Sequence, residues 1–207
     1  MKKSQLIYQY IREQGAVSKQ DIVIGLGLSL PTITQNLNNL AELGLIDTSK
    51  KISNTGGRNA TAYSYIEKAR YAVGLYLNRH HINCVAVDLS GNVISLIRVR
   101  ENFDLNDDNY LRKIGETVEE VKKDTGLSDD RFLGVGIAVQ GLISDDGERV
   151  TYGLTLNFTG VTRADIAKYI PYHNRLFHDS AAAGYAEVWD RNDLDDAFYL
   201  SLSNSVG

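Results

Sequence analysis

The chain has 207 residues, 43% of them hydrophobic and 23% charged, an ordinary globular composition with room for one or two domains. Its single cysteine, Cys84, excludes an internal disulfide, no apolar run approaches the ~18 residues that span a bilayer, and no apolar segment follows Lys2 and Lys3 as in a secretion signal. A reduced, cytoplasmic protein is expected. The formal net charge of −4 is unevenly spread: residues 1–70 carry nine Lys/Arg against five Asp/Glu, a balance of +4 that leaves −8 for the rest. A basic end joined to an acidic body points toward nucleic acid at that end.

The predicted elements begin with a helix over residues 4–14, with Leu6, Ile7, Tyr10 and Ile11 at helical spacing and Gly15 as its stop. Ser18 and Asp21 form a capping-box pair opening a second, short helix that bears Ile22, Val23 and Leu26 and ends at Gly27. Ser29 caps a third helix, and Pro31 sits in its first turn, where a missing N–H does no harm. Ile33, Leu37 and Leu40 make its apolar stripe, while Thr32, Thr34, Gln35, Asn38 and Asn39 face outward. A solvated helix face more often carries Glu and Lys. An amide-rich face has the groups that pair with adenine in the major groove, and it follows a short helix and a glycine turn.

After Gly44 the period changes to two. Leu45–Asp47 begins a strand and residues 62–66 return as another, around a polar, basic hairpin with Lys50, Lys51, Gly56, Gly57 and Arg58. Residues 1–67 are thus expected to form a winged helix-turn-helix domain that binds double-stranded DNA. Its expected DNA contacts are Lys19, Ser29, Thr32, Thr34, Gln35, Asn38, Asn39, Lys50, Lys51 and Arg58, the last as the wing contact. The lysines supply salt-dependent phosphate affinity, and the third helix supplies base readout. Two copies on a palindromic site, a homodimer or higher homo-oligomer, are the expected arrangement. Tyr8, Tyr10, Tyr63 and Tyr65 are read as core residues with wet hydroxyl edges.

Residues 70–207 read as α/β. Strands are expected over residues 71–77, 82–89 and 93–99, a helix over 109–125, and a strand over 134–139. A helix over 162–170, a strand over 175–178, a small-residue helix over 180–189 and a strand over 197–202 complete the series. His80, His81, His173, His178 and Cys84 lack metal-ligand spacing, so no metal is expected, and His80–His81 reads as a solvated pair.

The stretches "LSLPTITQNLNNLAELGLI" with "GGR", "GVGIAVQGLIS", "FHDSAAAGYAEVW" and "FYLSLSNSVG", in this order and spacing, resemble the ROK family of sugar-responsive repressors and sugar kinases. The resemblance implies an α+β chain: a winged helix-turn-helix followed by an α/β actin-like, sugar-kinase-type lobe over residues 70–207. That lobe looks incomplete, because the family's second lobe, with its Gly-Glu-x-Gly-His contacts and zinc site, has no counterpart. A fragment or truncation is the expectation.

The departures from the family pattern bear on function. Family kinases open this lobe with an Asp-x-Gly-Gly-Thr phosphate loop, whereas this chain has Gly74-Leu75-Tyr76-Leu77-Asn78-Arg79. Without the glycine pair, close backbone approach to a phosphate is lost. Ser203-Asn204-Ser205 stands in place of a Gly-Thr-Gly phosphate loop, and Gln140 stands where proline is common. Asp179 matches the aspartate that binds a sugar hydroxyl and acts as base in the kinases; His178 and Ala181 replace two asparagines. Read on its own, Asp179 is either a helix N-cap or a ligand contact. Asp179 and His178 are the candidate ligand residues, for a sugar or sugar-phosphate effector. The reading is a non-enzymatic, sugar-responsive repressor of carbohydrate-use genes with no cofactor. The alternatives are a sugar kinase, or a regulator that has lost its sugar site.

Overall fold

The computed structural model describes residues 2–52, 59–188 and 199–200. The chain divides into two compact units, Met1–Ala69 and Arg70–Gly207. No helix among the described residues is long and apolar enough to cross a membrane.

In the first unit, α1 (Lys3–Gln14), α2 (Lys19–Leu26) and α3 (Leu30–Glu42) surround a small core of Ile7, Ile11, Ile22, Ile33, Leu37 and Leu40. The reciprocal cap of α2 is present: Asp21 N donates to Ser18 Oγ at 3.2 Å, and the Asp21 carboxylate accepts from Ser18 N at 2.8 Å. Gly27 closes the helix in the left-handed region at φ 61°, where a Cβ would be strained. That turn lets α3 cross back over α1. The rings of Tyr8, Tyr10, Tyr63 and Tyr65 are partly buried against this core, as expected, but the Tyr8 hydroxyl is itself buried and does not form a wet edge.

Two short antiparallel ladders follow. β1 (Ile46–Asp47) pairs with β4 (Ser64–Tyr65), and β2 (Lys51–Ile52) pairs with β3 (Ala60–Thr61). Val17 joins them from the loop before α2, exchanging backbone hydrogen bonds with Tyr63 at 3.0 and 2.8 Å. The hairpin is thereby tied to the helix-turn-helix by backbone pairing as well as by apolar contact.

In the second unit, β5 (Tyr71–Leu77), β6 (His81–Asp88) and β7 (Val93–Arg100) form an antiparallel meander. β8 (Phe132–Val139) then pairs with β5, and β11 (Asn174–His178) pairs with β8, both in parallel. The sheet order is β11-β8-β5-β6-β7. Strict alternation puts Tyr71, Val73, Leu75, Leu77, Ile82, Cys84, Val135, Ile137 and Leu176 on one buried face. α4 (Asp108–Asp124) covers that face with Leu111, Ile114, Val118 and Val121. Gly115 lets the chain after α5 approach α4, because a Cβ there would meet the Tyr169 carbonyl oxygen at 2.5 Å. The opposite face holds Ala72, Gly74, Tyr76, Gly136, Ala138 and Phe177. Part of it faces α6 (Asp179–Val188) across a cleft of about 430 Å³. β9 (Leu142–Ile143) and β10 (Val150–Tyr152) pair beyond the end of β8.

Two expectations need correction. The helix expected over residues 162–170 is only α5, Arg163–Ile166. Thr162 and Asp165 cap it, but Pro171 disfavours helical backbone at Ile170, and the chain leaves through a tight turn in which Ile170 N donates to Ala167 O. Of the strand expected over residues 197–202, the described residues Tyr199 and Leu200 are not in a strand and are exposed. Tyr199 lies instead against Gly184 of α6. Apolar character alone does not make a strand without a ladder partner.

Candidate nucleic-acid interface and ligand pocket

The apolar stripe of α3 is buried, with Ile33, Leu37 and Leu40 at 0, 1 and 4% exposure. Burying each contributes roughly 1.5–3 kcal/mol and fixes the helix's rotation. That rotation leaves Gln35, Asn38 and Asn39 exposed and Thr32 and Thr34 half-buried. Ser29 occupies the N-cap position, but its hydroxyl lies 2.9 Å from the Thr32 hydroxyl and does not cap a backbone N–H. The first turn of α3 therefore presents paired hydroxyls. Thr32 also accepts, through its carbonyl, the Asn36 amide at 2.7 Å, which occupies that half-buried side chain within the helix. Lys19 is half-buried in the first turn of α2, and Lys50 and Lys51 are exposed on the hairpin. Arg58 and the glycine tip lie outside the described residues, as does Ser203-Asn204-Ser205.

A second site lies at the carboxyl ends of the parallel strands, where ligands bind in open α/β sheets. Register places Tyr76, Ala138 and Phe177 in one row across β5, β8 and β11. Gln140 and Asp179 lie just past the ends of β8 and β11. A cavity of about 370 Å³ is lined by Tyr76, Ala138, Asp179, Ser180, Ala182 and Ala183. The Gln140 amide donates to the Tyr76 hydroxyl at 3.2 Å. Burial raises the pKa of that phenol, the charge of Asp179 and a hydrogen bond to it add to the shift, and the Gln140 contact opposes it. Asp179, the first residue of α6, accepts the N–H of its neighbour Ser180 on Oδ1 at 2.8 Å, a local contact and not the N–H of N2 or N3 that an N-cap side chain would take. His178 lies beside it, Nε2 to Oδ1 at 3.7 Å, with its other ring nitrogen 2.7 Å from the Ser180 hydroxyl.

Sequence reasoning named Asp179 and His178 but missed Tyr76 as a pocket residue. The available signal was its alternation: between buried Leu75 and Leu77, an aromatic hydroxyl must project from the sheet's other face.

The turn after β5 is closed on itself. Asn78 Oδ1 accepts the backbone N–H groups of both His80 and His81, and Arg79 donates to the Thr155 carbonyl at 2.7 Å. The His80 ring is 3.2 Å from Asn102 Oδ1, and the half-buried His81 ring is 3.3 Å from the Arg98 guanidinium. Desolvation, then the Arg98 and Arg100 charges, lower the pKa of His81. Among the described residues, no three His, Cys, Asp or Glu side chains gather as a metal ion would require.

No family model matches the chain. Two curated proteins of Escherichia coli are each 23% identical over 167 residues: the DNA-binding transcriptional dual regulator NagC of strain K12 and an N-acetylglucosamine repressor of strain O6:H1. Each match takes in 72% of this chain and 36% of the relative, so the chain spans about a third of these relatives' length. A solved ROK family transcriptional regulator, a homologue of the E. coli MLC protein, superposes with a TM-score of 0.68 at 19% identity, covering 90% of this chain and 48% of that one. The ROK resemblance read from the sequence, and the fold it implies, are borne out.

Proposed function

We propose that this chain is the DNA-binding part and first lobe of a ROK-type transcriptional regulator, a cytoplasmic sugar-responsive repressor that binds a palindromic operator as a homodimer. The observation that carries the reading is the exposed amide row Gln35, Asn38 and Asn39 on the second helix of a helix-turn-helix, beside exposed Lys50 and Lys51. The regulators among the similar proteins support it, two of them described as acting on DNA or as N-acetylglucosamine repressors. The domains follow as a winged helix over residues 1–67 and a sensor lobe over residues 70–207. Thr32, Thr34, Gln35, Asn38 and Asn39 read bases; Lys19, Ser29, Lys50, Lys51 and Arg58 hold the backbone. Asp179 and His178 meet the sugar. For the sugar to act, it must favour one dimer geometry over another, because equal affinity for both shifts nothing.

A kinase reading has Asp179 in its favour. Against it, the backbone donors after β5 that would meet a phosphate are already bonded to Asn78. A regulator without a sugar response would account for His178 and Ala181 but gives no role to the cavity beside Asp179.

The test is fluorescence anisotropy with duplex from the chain's own promoter and with random duplex, across several salt concentrations. The proposal expects a preference for promoter DNA that persists as salt rises. Equal affinity for the two duplexes at every salt concentration sinks it.

A further inference from the structure

The strand register brings together three side chains far apart in the chain: Tyr76 on β5, Gln140 past β8 and Asp179 at the start of α6. We propose that Tyr76 is a specificity-determining residue of the Asp179 pocket: its phenol takes the carboxylate position that a ligand hydroxyl needs and must be displaced when a hexose binds. The inference rests on the sugar reading above and deepens it.

Three observations carry it. First, Tyr76 and Asp179 line the same cavity of about 370 Å³. Second, Gln140 donates to the phenol oxygen, which leaves the phenolic O–H as the donor and turns it toward an acceptor. The carboxylate of Asp179, on the same cavity wall, is the acceptor we assign to it, in keeping with the upward shift of the phenol's pKa. Third, Ser180 N already occupies one position on the carboxylate, so fewer remain for a ligand hydroxyl. An incoming sugar hydroxyl exchanges one O–H···O⁻ contact for another. The ligand's net gain at Asp179 is small until the phenol moves aside, and the pocket discriminates by what else the sugar can reach.

The experiment compares the full chain with Tyr76→Phe and Asp179→Asn. Phenylalanine keeps the ring and its packing while removing only the competing O–H. Calorimetric titration with glucose, N-acetylglucosamine and their 6-phosphates is expected to show about tenfold tighter binding of the preferred probe to Tyr76→Phe, the worth of one hydrogen bond to a charged group. Binding should be lost in Asp179→Asn. Alkaline absorbance titration supplies a readout that ring packing does not move. The tyrosinate signal absent from Tyr76→Phe should titrate above free tyrosine in the parent chain and shift down in Asp179→Asn. Equal or weaker sugar binding by Tyr76→Phe overturns the proposal while leaving the sugar reading intact. Binding of no probe by either protein overturns both. A tyrosinate titration indifferent to Asp179→Asn removes the phenol–carboxylate contact on which the proposal stands.

Discussion

The side-chain oxygen of Asn78 lies 2.9 Å from the backbone nitrogen of His81 and accepts its proton, as it does from His80 at 3.0 Å. A phosphate-binding turn offers such donors to its ligand; here they are spent inside the turn. Millimolar ATP with magnesium should therefore leave the melting temperature unchanged, whereas a ligand that binds only the folded state must raise it. Asn78→Ala should cost about 0.5–1.5 kcal/mol in chemical denaturation, from two donors losing their acceptor. A clear rise in melting temperature with ATP would show that another part of the chain holds nucleotide.

On DNA, base readers and phosphate contacts should separate by salt dependence. Gln35→Ala is expected to weaken promoter binding by about 1–3 kcal/mol with the salt slope nearly unchanged. Lys51→Ala should weaken promoter and random duplex alike and reduce the slope by about one unit. Anisotropy at four or more salt concentrations distinguishes them. A loss on random DNA as large as on promoter DNA in Gln35→Ala would place that side chain on the backbone instead.

Asp108 on α4 accepts from Lys168 Nζ at 2.7 Å and from the Tyr169 hydroxyl at 2.8 Å. These bonds, the lysine's first, hold its pKa down to about 2, against about 3.9 in an unfolded chain. The folded value is depressed, so the stabilisation is complete above pH 4 and is lost as pH falls from about 4 toward 2. Asp108→Asn should lower stability at pH 7 and flatten the acid dependence across that window. Denaturation midpoints at pH 7, 4 and 3 provide the check, and parallel curves for the two proteins would contradict it.

Cys84 is fully buried on the covered face of the sheet, and burial pushes its thiol up to about 12. A thiol-selective reagent at pH 8 should find it inert in the folded chain and reactive in denaturant. Rapid labelling without denaturant would mean that the second unit opens locally.

Local spacing was enough to read much of the first unit and the covered half of the second. Ser18 and Asp21 cap α2 because they stand three positions apart. Ile33, Leu37 and Leu40 share a face because 3.6 residues make a turn, and Leu75 and Leu77 share one because strands alternate. Those interactions are settled within a few residues, so the sequence carries them openly. The turn after β5 was only half legible: the sequence showed that it lacks a glycine pair, but the closure by Asn78 needed the backbone path. Helix α5 fell short because Pro171 acts backwards on the chain before it.

The pocket was decided by tertiary structure alone. Tyr76 and Gln140 are 64 residues apart and meet only because β5 and β8 run parallel in one register, ending at Leu77 and Val139. A one-residue slip would send Tyr76 to the buried face and leave Asp179 without its phenol. The sequence by itself determined that the third helix carries an amide-rich outer face and that an aspartate stands at position 179. Only the folded sheet decided what that aspartate touches, because pairing between distant strands depends on the whole core that aligns them.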